Sequence, residues 1–101
     1  ILEIAEQVTG RENEVIPRDI SAMLMVEVES HVYTSSVVRR LRGLTNVNSV
    51  YEVTGDYDIS AFINAENIMA LNKLIEEVRT VQGVKRTDTK MVLKKYNGSS
   101  K

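Results

Sequence analysis

The stretch Val53-Thr54-Gly55-Asp56-Tyr57-Asp58-Ile59 is a short polar turn between two runs that favour extended backbone. Before it, Val47 to Thr54 carries Val47, Val50, Tyr51 and Val53; after it, Ile59, Ala61 and Ile63 alternate with Ser60, Phe62 and Asn64. Such composition and alternation predict a β-hairpin with a four- or five-residue loop. Gly55 can take the positive φ that the loop needs, and Asp56 and Asp58 are ordinary turn residues. The same few residues gather exposed amides, two carboxylates and a phenol. Backbone N–H groups suit the carboxylate of a small zwitterion and an aspartate suits its ammonium, so the turn is also a candidate ligand site. Taken alone, a Gly-Asp-x-Asp turn is only a turn; its setting in the chain decides between the two readings.

Upstream, Ile20 to Glu29 alternates, with Ala22, Leu24, Val26 and Val28 on one face and Met23, Met25, Glu27 and Glu29 on the other. A helix follows, capped by Thr34 or Ser35, with Val37, Val38, Leu41 and Leu44 inward and Arg39, Arg40 and Arg42 outward. Three arginines without interleaved aromatic residues read as a solvated helix face and not as a nucleic-acid surface. Beyond the hairpin a second helix runs from Glu66 or Asn67 to Arg79, with Ile68, Leu71, Ile75 and Val78 on one stripe. Val84 to Leu93 forms a last strand, and residues 97–101 read as a disordered tail. At the other end, Leu2, Ile4, Ala5 and Val8 suit a short helix stopped by Gly10, and residues 11–19 carry the sole proline and read as a linker. The domain is thus expected over residues 20–96.

An offset of 37 residues lays the second half of this domain on the first. Val37, Val38, Leu41, Leu44 and Val47 fall on Leu74, Ile75, Val78, Val81 and Val84, and Leu24 and Val26 fall on Ala61 and Ile63. Strand-helix-strand twice over is the α+β, ferredoxin-like βαββαβ arrangement: a four-stranded antiparallel sheet with two helices on one face. The other face is left bare. Met23, Met25 and their neighbours would expose a larger apolar patch than a monomer tolerates, so two sheets are expected to pack face to face in a dimer, as a dimeric α/β barrel. In the last strand, Lys85, Thr87, Thr89 and Met91 alternate with Arg86, Asp88 and Lys90. Either this is a solvated half-strand, or Thr87, Asp88 and Thr89 line a polar pocket near the hairpin loop.

Composition excludes several classes of function. The chain has no cysteine, which rules out disulfides, thiolate metal sites and a cysteine nucleophile. Thirteen Lys and Arg against 14 Asp and Glu give a net charge of −1, unlike the basic surface of a duplex-binding module. No apolar run approaches the roughly 18 residues of a membrane span, and no signal-peptide pattern is present, so a soluble, cytoplasmic protein is the expectation. There is no phosphate loop, metal-ligand spacing or Ser-His-Asp set, and the single histidine, His31, sits at a strand-to-helix connection where a surface or capping role is commoner than catalysis.

The order of Val37-Val38-x-x-Leu41, Gly43-Leu44-x-x-Val47, Val50-x-x-Val53-Thr54-Gly55-Asp56-Tyr57-Asp58-Ile59, Val81-x-Gly83-Val84 and Arg86-Thr87-Asp88-Thr89-x-x-Val92-Leu93 resembles the RAM (regulation of amino acid metabolism) domain of the Lrp/AsnC transcription regulators. The resemblance spans about residues 20–96. It implies a non-enzymatic, cofactor-free module that dimerises through its sheet, assembles further into octamers or decamers, and binds an amino acid or related effector between dimers. The implied site falls on Thr54, Gly55, Asp56, Tyr57 and Asp58, and in some members the last-strand threonines, here Thr87 and Thr89 with Asp88 between them, contribute from a neighbour. The helix-turn-helix domain that precedes a RAM domain in the regulators has no counterpart here, and residues 1–19 are too short to form one. The sequence therefore reads as a stand-alone RAM protein or a fragment of a regulator, with no DNA binding of its own and full-length regulators as possible partners. Two other classes stay open: a small dimeric ferredoxin-like enzyme of the monooxygenase or isomerase type, and a pure oligomerisation scaffold.

Overall fold

The computed structural model describes residues 14–15 and 19–99. The elements run β1 (Glu14–Val15), β2 (Ile20–Val28), α1 (Thr34–Arg42), β3 (Val47–Glu52), β4 (Ile59–Ala65), α2 (Ile68–Arg79), β5 (Val84–Met91) and β6 (Lys95–Tyr96). Four strands form one antiparallel sheet in the order β3-β4-β2-β5, the ferredoxin-like arrangement. β4 and β2 are central because they carry the fullest apolar alternation; edge strands β3 and β5 are the more polar ones, as edges require.

Registers Leu24↔Ala61, Ala22↔Ile63 and Val26↔Ile59 put one row of small and branched side chains on a single face. There they meet Val37 and Leu41 of α1 and Leu71, Leu74 and Val78 of α2, all buried. Burial of each large aliphatic side chain contributes about 1.5–3 kcal/mol. Both helices cover this face only. On the opposite face Met23, Met25 and Phe62 are half-buried and Tyr51 is exposed, and Ser21, Met23, Ser49, Tyr51 and Phe62 line a shallow hollow of about 800 Å³ that residues 92–96 rim.

The repeat inferred from the sequence is present bond for bond. Leu44 N–H donates to Leu41 O and Val47 N–H to Leu44 O; 37 residues on, Val81 N–H donates to Val78 O and Val84 N–H to Val81 O. Asn46 and Gly83, equivalent under that shift, both have positive φ, 74° and 101°. Each turns the chain from its helix into the next strand, a step that requires a left-handed residue.

Some boundaries differ from the sequence reading. α1 begins at Thr34 with Tyr33 as its N-cap residue; neither Thr34 nor Ser35 caps it, and Ser36 Oγ instead donates to Tyr33 O at 2.8 Å. α2 is capped by Asn67, whose Oδ1 accepts the Ala70 N–H at 2.8 Å. β5 stops at Met91. Residues 14–15, within the stretch read as a linker, pair antiparallel with residues 95–96. The short helix expected around Leu2–Val8 and the end of the tail lie outside the described residues.

Candidate functional site

The hairpin loop spans residues 53–58 and is closed at its base, where Val53 N–H donates to Asp58 O at 2.9 Å. It leans on β2: Asp58 N–H donates to Val26 O at 2.9 Å, and Asp58 Oδ2 accepts the Val28 N–H at 2.8 Å. That second bond lies just past Val26↔Ile59, the last pair of β2 with β4, so the carboxylate takes up an amide beyond the end of that ladder. Asp58 is therefore a latch between loop and sheet.

The tip is open. Thr54, Gly55 and Asp56 are exposed, and a Cβ built on Gly55, at φ 112°, meets nothing within 4 Å. Among the described residues, the N–H groups of Thr54, Gly55, Asp56 and Tyr57 donate to no protein acceptor. The tip thus offers four unclaimed amides and the Asp56 carboxylate, the donor and acceptor set that a zwitterion needs.

Beside this tip stands a cluster that the sequence did not mark as a site. Arg86 Nε–H donates to Glu27 Oε1 at 2.6 Å, Arg86 Nη1 donates to Tyr57 OH at 3.1 Å, and the guanidinium carbon lies 4.7 Å from the centre of the Tyr57 ring. Lys85 Nζ is 3.7 Å from Glu27 Oε2. The hydrogen bond from Arg86 holds the Glu27 carboxyl below its ordinary value, with the Lys85 and Arg86 charges adding to it, and Glu27 in turn raises Arg86. The one sequence signal for this pairing was that Glu27 and Arg86 each fall on the apolar-poor face of their strands.

Thr87, Asp88 and Thr89 do not share a pocket, because successive strand residues point to opposite faces. Thr87 and Thr89 pair with Val26 and Leu24 on the helix-covered face. Thr87 Oγ1 accepts from Arg79 Nε at 3.4 Å, while Thr89 lines a groove against α2 with Leu71, Ile75 and Met91. Asp88 is on the bare face opposite Met25 and pairs with Lys90 at 3.2 Å. Thr87 stands one residue from the Arg86 cluster and helps to line a concavity of about 320 Å³ with Arg79, Lys85 and Arg86. Of the three β5 candidates it is the one next to the loop-bound cluster.

His31 is exposed and lines a separate cleft of about 620 Å³ with Glu29, Tyr33, Ser36 and Arg40. Among the described residues, no three His, Asp or Glu side chains come together to hold a metal. No helix among them is long and apolar enough to cross a membrane.

The Lrp/AsnC ligand binding domain model matches residues 21–101. The chain belongs to that family. Its curated relatives include homocitrate synthases of Sulfurisphaera tokodaii, 47% identical over 96 residues, and Saccharolobus solfataricus, 45% identical over the same length. Each match takes in 94% of this chain and 21% of the enzyme, so the chain spans about a fifth of the length of these relatives. Since 94% of the chain is matched, the likeness extends over most of the residues that precede the family match at residue 21. Solved structures share the fold at lower identity. AsnC of E. coli has a TM-score of 0.71 at 23% identity, over 99% of this chain and 71% of that one. The feast or famine regulatory protein of M. tuberculosis, complexed with L-methionine, has 0.70 at 22%, over 81% and 55%. A protein of Thermus thermophilus has 0.71 at 24%, over 78% of this chain and 99% of that one.

Proposed function

We propose that this domain is a non-catalytic effector sensor: it binds an amino acid or a closely related metabolite at the 53–58 loop and converts binding into a change of assembly. The observation that carries this reading is the open loop tip, with four unclaimed amides and the Asp56 carboxylate held on a base that Asp58 latches to the sheet. Membership of the ligand-binding family and the L-methionine bound by the M. tuberculosis regulator support it. Two copies pack through the bare sheet face, where Met23, Met25, Tyr51 and Phe62 are offered. Dimers join into octamers or decamers, with the effector at their junctions and Thr87 of a neighbour near it. An effector that binds one ring geometry alone stabilises it by RT ln(1 + [L]/Kd), about 2.7 kcal/mol at a hundredfold excess over Kd.

The body being regulated is a homocitrate synthase-like enzyme. Identity of 47% to a homocitrate synthase segment, against 17–24% to the regulators and other solved structures of this fold, favours that output over a transcription regulator. DNA is not bound by this domain itself. Joining rings with full-length Lrp/AsnC regulators is the second reading, supported by the shared fold.

Light scattering at several protein concentrations, with and without each of the twenty L-amino acids, tests the proposal. One chemical class of amino acid is expected to shift the mass between dimer and ring. An assembly indifferent to the whole panel, with no change in thermal midpoint, overturns it. Adding the responding amino acid to a homocitrate synthase that carries this domain should change its rate, and an unchanged rate would return the output to the regulators.

A further inference from the structure

The loop tip offers a carboxylate for an ammonium group, but its answer to a ligand's carboxylate is limited to neutral amides. A full cation stands beside it. Arg86 reaches the loop through Tyr57, by a hydrogen bond of 3.1 Å and by lying over the ring. Its side chain is 55% exposed, and its Nε–H and one Nη1 proton account for all its hydrogen bonds. Three of the five guanidinium protons are thus unclaimed among the described residues. Arg79, Lys85 and Arg86 line one concavity of about 320 Å³; among the described residues Glu27 and Glu76 form ion pairs with them, and the Asp56 carboxylate at the loop tip acts on Arg86 through space.

We infer that Arg86 supplies the cationic half of the loop site, taking the ligand's carboxylate in its fork while the loop side takes the ammonium, so that Arg86 sets the preference for a free α-amino acid over any neutral derivative. This rests on the proposal that the loop is the effector site. Tyr57 and Glu27 hold the guanidinium in place before the ligand arrives. A pre-oriented planar fork loses little freedom on binding and matches a carboxylate with two parallel N–H donors. Charged hydrogen bonds of this kind contribute about 1.5–3 kcal/mol, or roughly tenfold to hundredfold in affinity.

The experiment is a titration of the full chain with the twenty L-amino acids and, for each that binds, with its α-carboxamide, which keeps the ammonium and loses the negative charge. The unaltered protein is expected to prefer the acid over the amide by at least tenfold. In Arg86→Gln that preference should fall below threefold, with the amide's Kd staying within threefold of its original value. Retention of the preference in Arg86→Gln overturns the inference, and so does an equal loss of acid and amide, which would mean that Arg86 only holds the loop. If no amino acid binds the unaltered protein, the loop proposal itself falls and this inference with it. If Arg86→Gln lacks the far-ultraviolet circular dichroism of the folded chain, Arg86→Lys carries the test: the charge stays and the fork is lost, so the acid preference should drop at least threefold, and an unchanged preference overturns the inference.

Discussion

Asp56 and Asp58 are two residues apart in one turn, yet the fold gives them different work. Asp58 Oδ2 receives the buried Val28 amide, whereas Asp56 is exposed at the tip. Asp58→Ala would leave that amide without a partner, which costs about 1–3 kcal/mol. For a domain of this size each kcal/mol lowers the midpoint by about 4–8 °C, so scanning calorimetry should show a clear drop. Asp56→Ala should stay within about 0.5 kcal/mol of the parent, as exposed substitutions do, and weaken effector binding instead. From the sequence the two carboxylates were equivalent site candidates, because the residue that separates them, Val28, is 30 positions away and its amide is left open only because β2 runs past its last pair with β4. The Arg86–Glu27 pair was hidden for the same reason: 59 residues lie between its members, and only the strand register joins them. Its pH dependence follows from its geometry. Glu27 is held below the ordinary glutamate value of 4.5, first by the Arg86 hydrogen bond, so the pairing is fully present above that pH and is lost as the pH falls through the lower folded value. A carboxyl NMR titration should place the Glu27 inflection below 4.5, and Arg86→Gln should move it upward.

Among the elements, the internal repeat was legible because the same apolar spacing recurs through each helix and into the strand that follows it. The two turns that end the helices match in backbone and differ in packing. Asn46 and Gly83 share positive φ, but a Cβ at Gly83 would lie 2.8 Å from Val32 Cγ1 and 3.0 Å from Val37 Cγ2. Asparagine tolerates the left-handed conformation, so Gly83→Asn isolates the steric part of the cost. Forcing extra atoms against two partly or fully buried valines costs about 1–3 kcal/mol, and urea unfolding should report that loss, while Asn46→Gly leaves the midpoint almost unchanged. What periodicity could not reveal was the β1–β6 pair, since two-residue strands show no alternation and their pairing is set by tertiary approach. It set Thr87 and Thr89 apart from Asp88 but did not say which of those two faces of β5 the helices cover, which the register with β2 decides.

At the scale of the whole molecule, the four-stranded sheet carries both helices on one side and, among the described residues, no helix on the other, and the second side is where assembly is proposed. Side chains there are apolar at the centre, with Met23, Met25 and Phe62, and become charged toward β5, with Asp88 and Lys90. Ser60 is 4% exposed on this face and its Oγ has no partner among the described residues. A face with an apolar centre and a charged margin has the makeup of an interface core and rim. Met25 sits on central strand β2 between Ser60 of β4 and Asp88 of β5, so a cation placed there has no room to leave a packed interface, and in a monomer it can reach water along the open sheet. Met25→Lys is therefore expected to turn the proposed dimer into a folded monomer, read as a halving of mass in light scattering with the circular dichroism kept. Because the proposed effector site lies between dimers, that monomer should also lose amino-acid binding, although every residue of its own 53–58 loop is intact. A monomer that still bound with the parent's affinity would confine the site to one chain and remove the junction from the mechanism.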